Sequence, residues 1–280
     1  MPQGFLRDKI AVVTGASSGI GRATALELAK AGAHLVIASR RKMLLEELAS
    51  EIEELGREAL LEVVDITERE QVERLISKVI SHYGQIDILI VCAGVYYRSL
   101  VENLSLDIVD RSLAINFYGG LFTILAVLPH MRARNTGHIV LVSTMDTKLG
   151  LPGDGPYAIA KSALSSFVDV LRQELHETGV HTTIILPGRV DTAFIEDLKL
   201  PRGSMIISPQ VVARTIVRSI KRRKAIVILP FLANVLYIIK VFSPRLADWI
   251  IRLLHMQGWE KEEVRSNSSG NSLVKEQIGD

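Results

Sequence analysis

Thr14-Gly15-Ala16-Ser17-Ser18-Gly19-Ile20-Gly21 lies between an apolar run, Ile10-Ala11-Val12-Val13, and a stretch of helical periodicity over 22–31. The run is short, continuous and rich in valine, as expected of a strand covered on both faces. Strand, glycine-rich turn and helix together make a phosphate cradle. Glycines turn the chain tightly and bring backbone N–H groups close to anionic oxygens, and the helix N-terminus adds partial positive charge. The glycines are spaced G-x-x-x-G-x-G, one residue wider at the front than the usual dinucleotide fingerprint. Gly15, Ser17, Ser18, Gly19, Ile20 and Gly21 are the candidate pyrophosphate contacts. The bland alternative, an ordinary turn, does not require the strand before and the helix after.

Working outward, further short Val/Ile-rich runs read as strands over 35–39, 60–64, 88–92, 138–143, 182–186 and 225–229. Helical patterns alternate with them over 43–55, 68–83, 106–132, 157–177 and 209–222. Gly32, Gly56, Gly84 and Gly179 each follow such a pattern, where a C-terminal glycine belongs. Thr67 and Glu70 have capping-box spacing. Repeated strand–helix alternation implies a parallel sheet with right-handed crossovers. The expected architecture is a single doubly wound α/β domain over 1–230. Its seven strands take the order 3-2-1-4-5-6-7, with helices on both faces and a lid over about 194–205. An apolar to amphipathic extension over 231–258 and a polar, unpacked tail over 259–280 follow it.

Composition narrows the function class. In 280 residues, the net charge of +2 implies no single-sign field, which argues against nucleic acid as a partner. The one cysteine, Cys92, excludes an intramolecular disulfide and suits a reducing compartment. No apolar signal-peptide core is visible near the N-terminus, so the expected location is cytoplasmic. The seven histidines are scattered, and no cluster has metal-ligand spacing, so no metal site is expected.

The second strand ends Ala38-Ser39-Arg40-Arg41. In a dinucleotide site this strand ends beside the adenosine ribose, where an acid would bind the 2′-hydroxyl of NAD. Here two guanidiniums stand in that place, and a guanidinium forks onto a 2′-phosphate with two hydrogen bonds. Arg40 and Arg41 therefore favour NADP(H) over NAD(H); the alternative is that they simply begin a solvated helix. Asp65, at the end of the third strand, is placed to accept from the adenine amino group, and it also suits a turn before Thr67.

Tyr157 and Lys161 are spaced i, i+4 at a helix start, so both leave one face. A free phenol, with a pKa of about 10, is a poor proton donor or acceptor near neutrality. An ammonium one turn away lowers that value, and the positive nicotinamide of an oxidised cofactor lowers it further. Such a tyrosine protonates a carbonyl oxygen as hydride reaches the carbon.

With the glycine turn and the Tyr-x-x-x-Lys pair on one chain, the sequence resembles the short-chain dehydrogenase/reductase family over 9–192. The resemblance rests on the glycine turn, Asp65, Cys92-Ala93-Gly94, Asn116, Ser143-Thr144, Tyr157-x-x-x-Lys161 and Pro187-Gly188-x-x-x-Thr192. It implies Tyr157 as general acid/base and Lys161 as the group that holds the nicotinamide ribose. It implies Asn116 as the holder of a relay water, and Pro187, Gly188, Val190 and Thr192, with Ala93 and Gly94, around the rest of the cofactor. The resemblance also implies homodimers or homotetramers built on the helices over 106–132 and 157–177.

Two departures from the family pattern stand out. Counting thirteen residues back from Tyr157, where a serine is usual, gives Thr144, with Ser143 just before it. Thr144 is the expected partner of the substrate oxygen and Ser143 the alternative. Val91-Cys92-Ala93-Gly94 replaces the usual Asn-Asn-Ala-Gly, so Cys92 reads as a small buried residue rather than a redox centre.

Past Thr192 the family pattern ends. The run over 225–239 is nearly all apolar but is broken by Pro230 and Asn234, and it is too short to span a bilayer. An amphipathic stretch with Trp249 follows Pro244, and Lys221-Arg222-Arg223-Lys224 precedes the whole. Two readings of 231–254 stay open: an in-plane contact with the cytosolic face of a membrane, or a cover over the pocket or a subunit interface. The expected activity is NADPH-dependent reduction of an apolar or lipid-like carbonyl to an alcohol, or the reverse. A non-catalytic NADPH-binding regulator, or the same fold used for epimerisation or dehydration, are the rivals.

Overall fold

The computed structural model describes residues 4–193, 198–199, 205–254, 256 and 259–260. Seven parallel strands form one sheet: β1 (Ile10–Thr14), β2 (His34–Ser39), β3 (Ala59–Val63), β4 (Ile88–Val91), β5 (Gly137–Val142), β6 (Val180–Pro187) and β7 (Ile226–Leu229), in spatial order 3-2-1-4-5-6-7. This is the expected doubly wound topology. Boundaries shift by a residue or so; Thr14, for instance, still pairs with Ala38 and Val91 before the glycine turn begins.

Alternation along each strand assigns residues to two cores. Ile10 and Val12 face α3 (Arg69–Tyr83), α5 (Gly120–Ala133) and α7 (Gly155–Glu174). Ala11 and Val13 face α1 (Gly19–Lys30), α2 (Lys42–Glu54) and α8 (Pro209–Arg222). Both faces of β1 are therefore dry, which is why its sequence is apolar throughout. The order in which strands are added reverses between β1 and β4, and the crevice outside their carboxyl ends is where such sheets place ligands.

Two local expectations are corrected. The helix expected over 106–132 is not regular: α4 (Leu106–Leu113) passes through a π-helical segment, Ala114–Gly119, before α5. An inserted turn of this kind leaves the apolar periodicity readable and its own presence invisible. The stretch Leu106–Ala133, 28 residues long, has the length and apolarity to cross a membrane, its most apolar 18-residue window having a mean hydropathy of 1.6, but here it packs between α3 and α7 against the sheet. The capping box is also absent. Glu68 is the N-cap residue of α3 and makes no side-chain cap, because the Thr67 hydroxyl donates to Asp65 Oδ1 at 2.8 Å.

After β7 the chain forms a helical hairpin, α9 (Phe231–Phe242) and α10 (Pro244–Leu253), between which only Ser243 intervenes. Leu236, Ala247 and Ile251 from this hairpin join the core on the α5–α7 side. Leu198–Lys199 pairs antiparallel with Trp259–Glu260. Most of the expected lid over 194–205, and the tail beyond 260, lie outside the described residues.

Candidate active site

A cavity of about 540 Å³ opens at the carboxyl ends of the strands. One end is made of backbone. Gly15 and Gly19 have φ of +67° and +52°, in the left-handed region that favours glycine. A Cβ on Gly15 would sit 2.6 Å from Ala93 Cα, and one on Gly21 would sit 2.0 Å from the Gly15 carbonyl oxygen. The turn is thus drawn tightly against the loop after β4, and the α1 N-terminus opens onto the cavity. Such a cradle fits a dinucleotide pyrophosphate, held by main-chain N–H groups and helix partial charge.

Most sequence-predicted residues converge here. Gly15, Ser18, Gly19, Ile20, Gly21, Ala93, Gly94, Thr144, Tyr157, Lys161, Pro187, Gly188, Val190 and Thr192 all line the cavity, with Cys92 and Ser143 beside them. Ser17, Arg40, Arg41, Asp65 and Asn116 lie behind or beyond its walls. Arg41 crosses from the end of β2 and donates through Nη2 to the Ser17 and Ser18 hydroxyls, each at 2.8 Å. Arg40 is exposed. Asp65 Oδ1 accepts from both the Thr67 N–H and the Thr67 hydroxyl, an Asx turn. Asn116, in the π-segment, spends its amide on the loop after β4: Nδ2 donates to the Val95 carbonyl and Oδ1 accepts from Val95 N–H. That clamp fixes the Gly94 backbone between Asn116 and Lys161.

Tyr157 and Lys161 leave the start of α7 on one face, with Lys161 Nζ 5.8 Å from the phenol ring centroid. The electrostatics differ from the sequence expectation. Burial pushes the Tyr157 hydroxyl well above its usual range, and Asp146, Cys92 and Asp154 push it the same way. Lys161 does not offset this, because burial lowers its own pKa to about 8. Its ammonium donates to the Val142 carbonyl at 3.3 Å. Among the groups of the chain, then, the phenol is held in its protonated form and the amine is brought near neutrality. Cys92 is raised to about 11, the behaviour of an inert buried thiol.

Sequence reasoning missed a polar cluster at the other side of Tyr157. Tyr96 stacks edge-on against Tyr157, ring centroids 5.1 Å apart, and its hydroxyl donates to Asp154 Oδ1 at 2.7 Å. Arg98 Nε donates to the same oxygen at 3.0 Å. Asp146, in the short helix α6 (Asp146–Leu149), accepts from the Thr144 hydroxyl at 2.7 Å. Arg189 donates to the Met256 carbonyl and so ties the far side of the C-terminal hairpin to the loop after β6. Lys240 of α9 donates to the Lys148 and Leu149 carbonyls at 2.8 and 2.9 Å, which fastens the hairpin to α6. Only the acids' proximity in sequence to Thr144 and Tyr157 could have flagged them.

The remaining wall is apolar. Leu149, Leu151, Leu232, Leu236, Ile239 and Ile250 face the cavity, so part of 231–254 roofs the substrate end.

Residues 9–202 match the family model for the short chain dehydrogenase. The chain is 33% identical over 273 residues to 11-beta-hydroxysteroid dehydrogenase 1A of Arabidopsis thaliana, covering 90% of this chain and 77% of that protein. It is 34% identical over 231 residues to glycine betaine reductase ATRR of Emericella nidulans, covering 79% of this chain and 18% of that much longer protein. Among solved structures, the alcohol dehydrogenase of the archaeon Thermococcus sibiricus, complexed with 5-hydroxy-NADP, superposes with a TM-score of 0.73. The two share 28% identity over 80% of this chain and 96% of that one. The chain belongs to the short-chain dehydrogenase family and is a nicotinamide-dependent oxidoreductase acting on a small molecule.

Proposed function

We propose that the protein is an NADPH-dependent carbonyl reductase for an apolar, lipid-like ketone or aldehyde, with Tyr157 as general acid. The observation that carries this reading is the shared cavity. The phosphate cradle, Tyr157 and Lys161 line one end, and Leu149, Leu151, Leu236, Ile239 and Ile250 line the other. A substrate must place a polar oxygen at Tyr157 and an apolar body under the hairpin.

When bound, the cofactor supplies hydride to the carbonyl carbon. The chain supplies the matching proton: the Tyr157 O–H passes it to the carbonyl oxygen, leaving an alcohol and a phenolate. A buried phenol that keeps its proton through neutrality suits that direction. Lys161 would hold the nicotinamide ribose and favour the phenolate as it forms; Asn116 would hold the relay water through the backbone it clamps. Thr144, thirteen residues before Tyr157, would orient the substrate oxygen, with Ser143, hydrogen-bonded to Ser165 at 2.7 Å, as the alternative. Arg41 supports the preference for NADP(H), because its guanidinium already lies over Ser17 and Ser18 at the edge of the cradle. The relative complexed with an NADP derivative and the hydroxysteroid dehydrogenase relative agree with cofactor and substrate class.

The outer face of the hairpin supports peripheral contact with the cytosolic face of a membrane: Phe231, Val241, Phe242 and Trp249 are exposed. Exposed Tyr118 in the π-helical segment, Leu125 on α5, and Ile159 and Val170 on α7 support a homo-oligomer built on those helices.

The test is a panel of carbonyls with NADPH and with NADH, run on wild type and Tyr157→Phe. The variant should lose about 10²–10⁴ in turnover while NADPH binding survives. Turnover equal to wild type would remove Tyr157 from the chemistry. Tight NADPH binding without oxidation by any carbonyl would favour a regulatory role, and product without net NADPH consumption would favour epimerisation or dehydration.

A further inference from the structure

The hydroxyl beside the reacting oxygen has only one hydrogen to give. Thr144 Oγ1 accepts from the Asp146 N–H at 3.2 Å and donates to Asp146 Oδ2 at 2.7 Å. Ser143 offers no substitute. The Ser165 hydroxyl donates to the Lys161 carbonyl at 2.7 Å, so the hydrogen between Ser143 and Ser165 comes from Ser143. With Asp146 ionised, neither hydroxyl retains a hydrogen for a substrate oxygen.

We propose that Asp146 is a positioning residue that sets the direction of the Thr144 hydrogen. As a carboxylate, Asp146 draws that hydrogen onto itself. As a carboxylic acid, it donates to Thr144 Oγ1 and leaves the Thr144 hydrogen for the oxygen of a bound carbonyl. The inference rests on the carbonyl-reductase reading above and adds to it a residue that the family pattern does not assign.

The surroundings divide the two acids into different roles. Asp154 takes the Tyr96 hydroxyl and the Arg98 guanidinium, contacts that favour its carboxylate form against the burial that pushes its own pKa up. Asp146 accepts from the Thr144 hydroxyl, and it lies in the cavity wall. Burial first, then repulsion from Asp154, raises it to about 7, against the Thr144 hydrogen bond and the more distant charges of Arg189 and Arg98. Tyr157 faces it from α7 and is neutral through this range. From α9, Lys240 spends its ammonium on the carbonyls that end α6. Burial and the neighbouring acid thus hold the acid form of Asp146 far above the usual carboxylate range, and reduction is favoured on the acid side.

Two measurements test this. In unliganded protein labelled with ¹³C at aspartate carboxyls, one resonance should titrate near neutrality, and Asp146→Asn should remove it. For wild type, kcat/KM for carbonyl reduction should fall at least about tenfold between pH 6 and pH 8.5, as the acid form is depleted. In Asp146→Asn the side-chain amide donates to Thr144 at every pH, so the fall across that range should shrink to the roughly fourfold that deprotonation of Lys161, with its pKa at about 8, contributes. Should Asp146→Asn fail to fold, Asp154→Asn removes the repulsion and should move the wild-type limb to lower pH. An unchanged limb in the folded variant, or no carboxyl titrating near neutrality, overturns the proposal. Tyr157→Phe in the same assay separates the two readings. If it is inactive while the limb survives Asp146→Asn, only the positioning role fails; if it is fully active, the carbonyl-reductase reading fails and takes this one with it.

Discussion

The two ends of the cavity are built on opposite principles. At the cradle, backbone meets backbone: the missing Cβ atoms of Gly15 and Gly21 leave space that a main-chain atom of a neighbouring segment already occupies. At the roof, two short helices contribute only Leu236, Ala247 and Ile251 to the buried core and show apolar side chains on both faces. The first end accepts one residue type at each key position. The second accepts any apolar residue of roughly the right volume. The chemistry shared by a family belongs on the first kind of surface, and substrate choice belongs on the second.

The sharpest way to break this contrast is at Gly21. Gly21→Ala puts a Cβ against the Gly15 carbonyl, where no flexible side chain can move aside. We expect a stability loss of about 3 kcal/mol and at least about tenfold weaker NADPH binding, followed by melting and by fluorescence titration. Gly155→Ala, where nothing lies within 4 Å, is the control and should change neither.

At the roof, Leu236→Ala should cost about 2 kcal/mol, near the low end for a core leucine because the hairpin can collapse onto the gap. Its signature is a KM for apolar carbonyls that rises while the NADPH dissociation constant stays put. A change in the NADPH constant would mean the two ends are not separable. At the edge of the cradle, Arg41→Ala should reduce the preference for NADPH over NADH by roughly ten- to hundredfold, the worth of a charge-assisted hydrogen bond. A preference that survives would return Arg41 to the role of a helix-start cation.

The same contrast explains what could be read from the sequence. Continuous Val/Ile runs gave away the strands because parallel strands are dry on both faces, and the glycine spacing was legible because the cradle tolerates nothing larger. Tyr157 and Lys161 were legible because one helical turn aligns them. Arg98, Asp146, Asp154 and Arg189 were not, since they come from the three separate connections that follow β4, β5 and β6, and each alone looks like a solvated surface charge. Thr67 was misread as a cap because a nearer carboxylate, Asp65, took its hydroxyl. Whether 231–254 covers a pocket or meets a membrane could not be decided from pattern, because the hairpin is apolar on the inner and the outer face alike.

That outer face yields the smallest expected change in stability and the most direct test of its purpose. Phe242 is 85% exposed and Trp249 59% exposed, so Phe242→Ser with Trp249→Ser removes almost no contact inside the monomer and should shift stability by no more than about 0.5 kcal/mol. Turnover of a small, soluble ketone should not change either, since neither residue lines the cavity. What should change is sedimentation with anionic vesicles. The exposed rings would enter the headgroup boundary while Arg245 and Arg252 on α10 meet the lipid phosphates. Wild type that stays in the supernatant, together with a double variant that elutes as a smaller species, would instead assign this face to a second copy of the chain. In either case the roof would have two jobs with separate residues: Leu236 and Ile250 inward for substrate, Phe242 and Trp249 outward for whatever surface the protein works on.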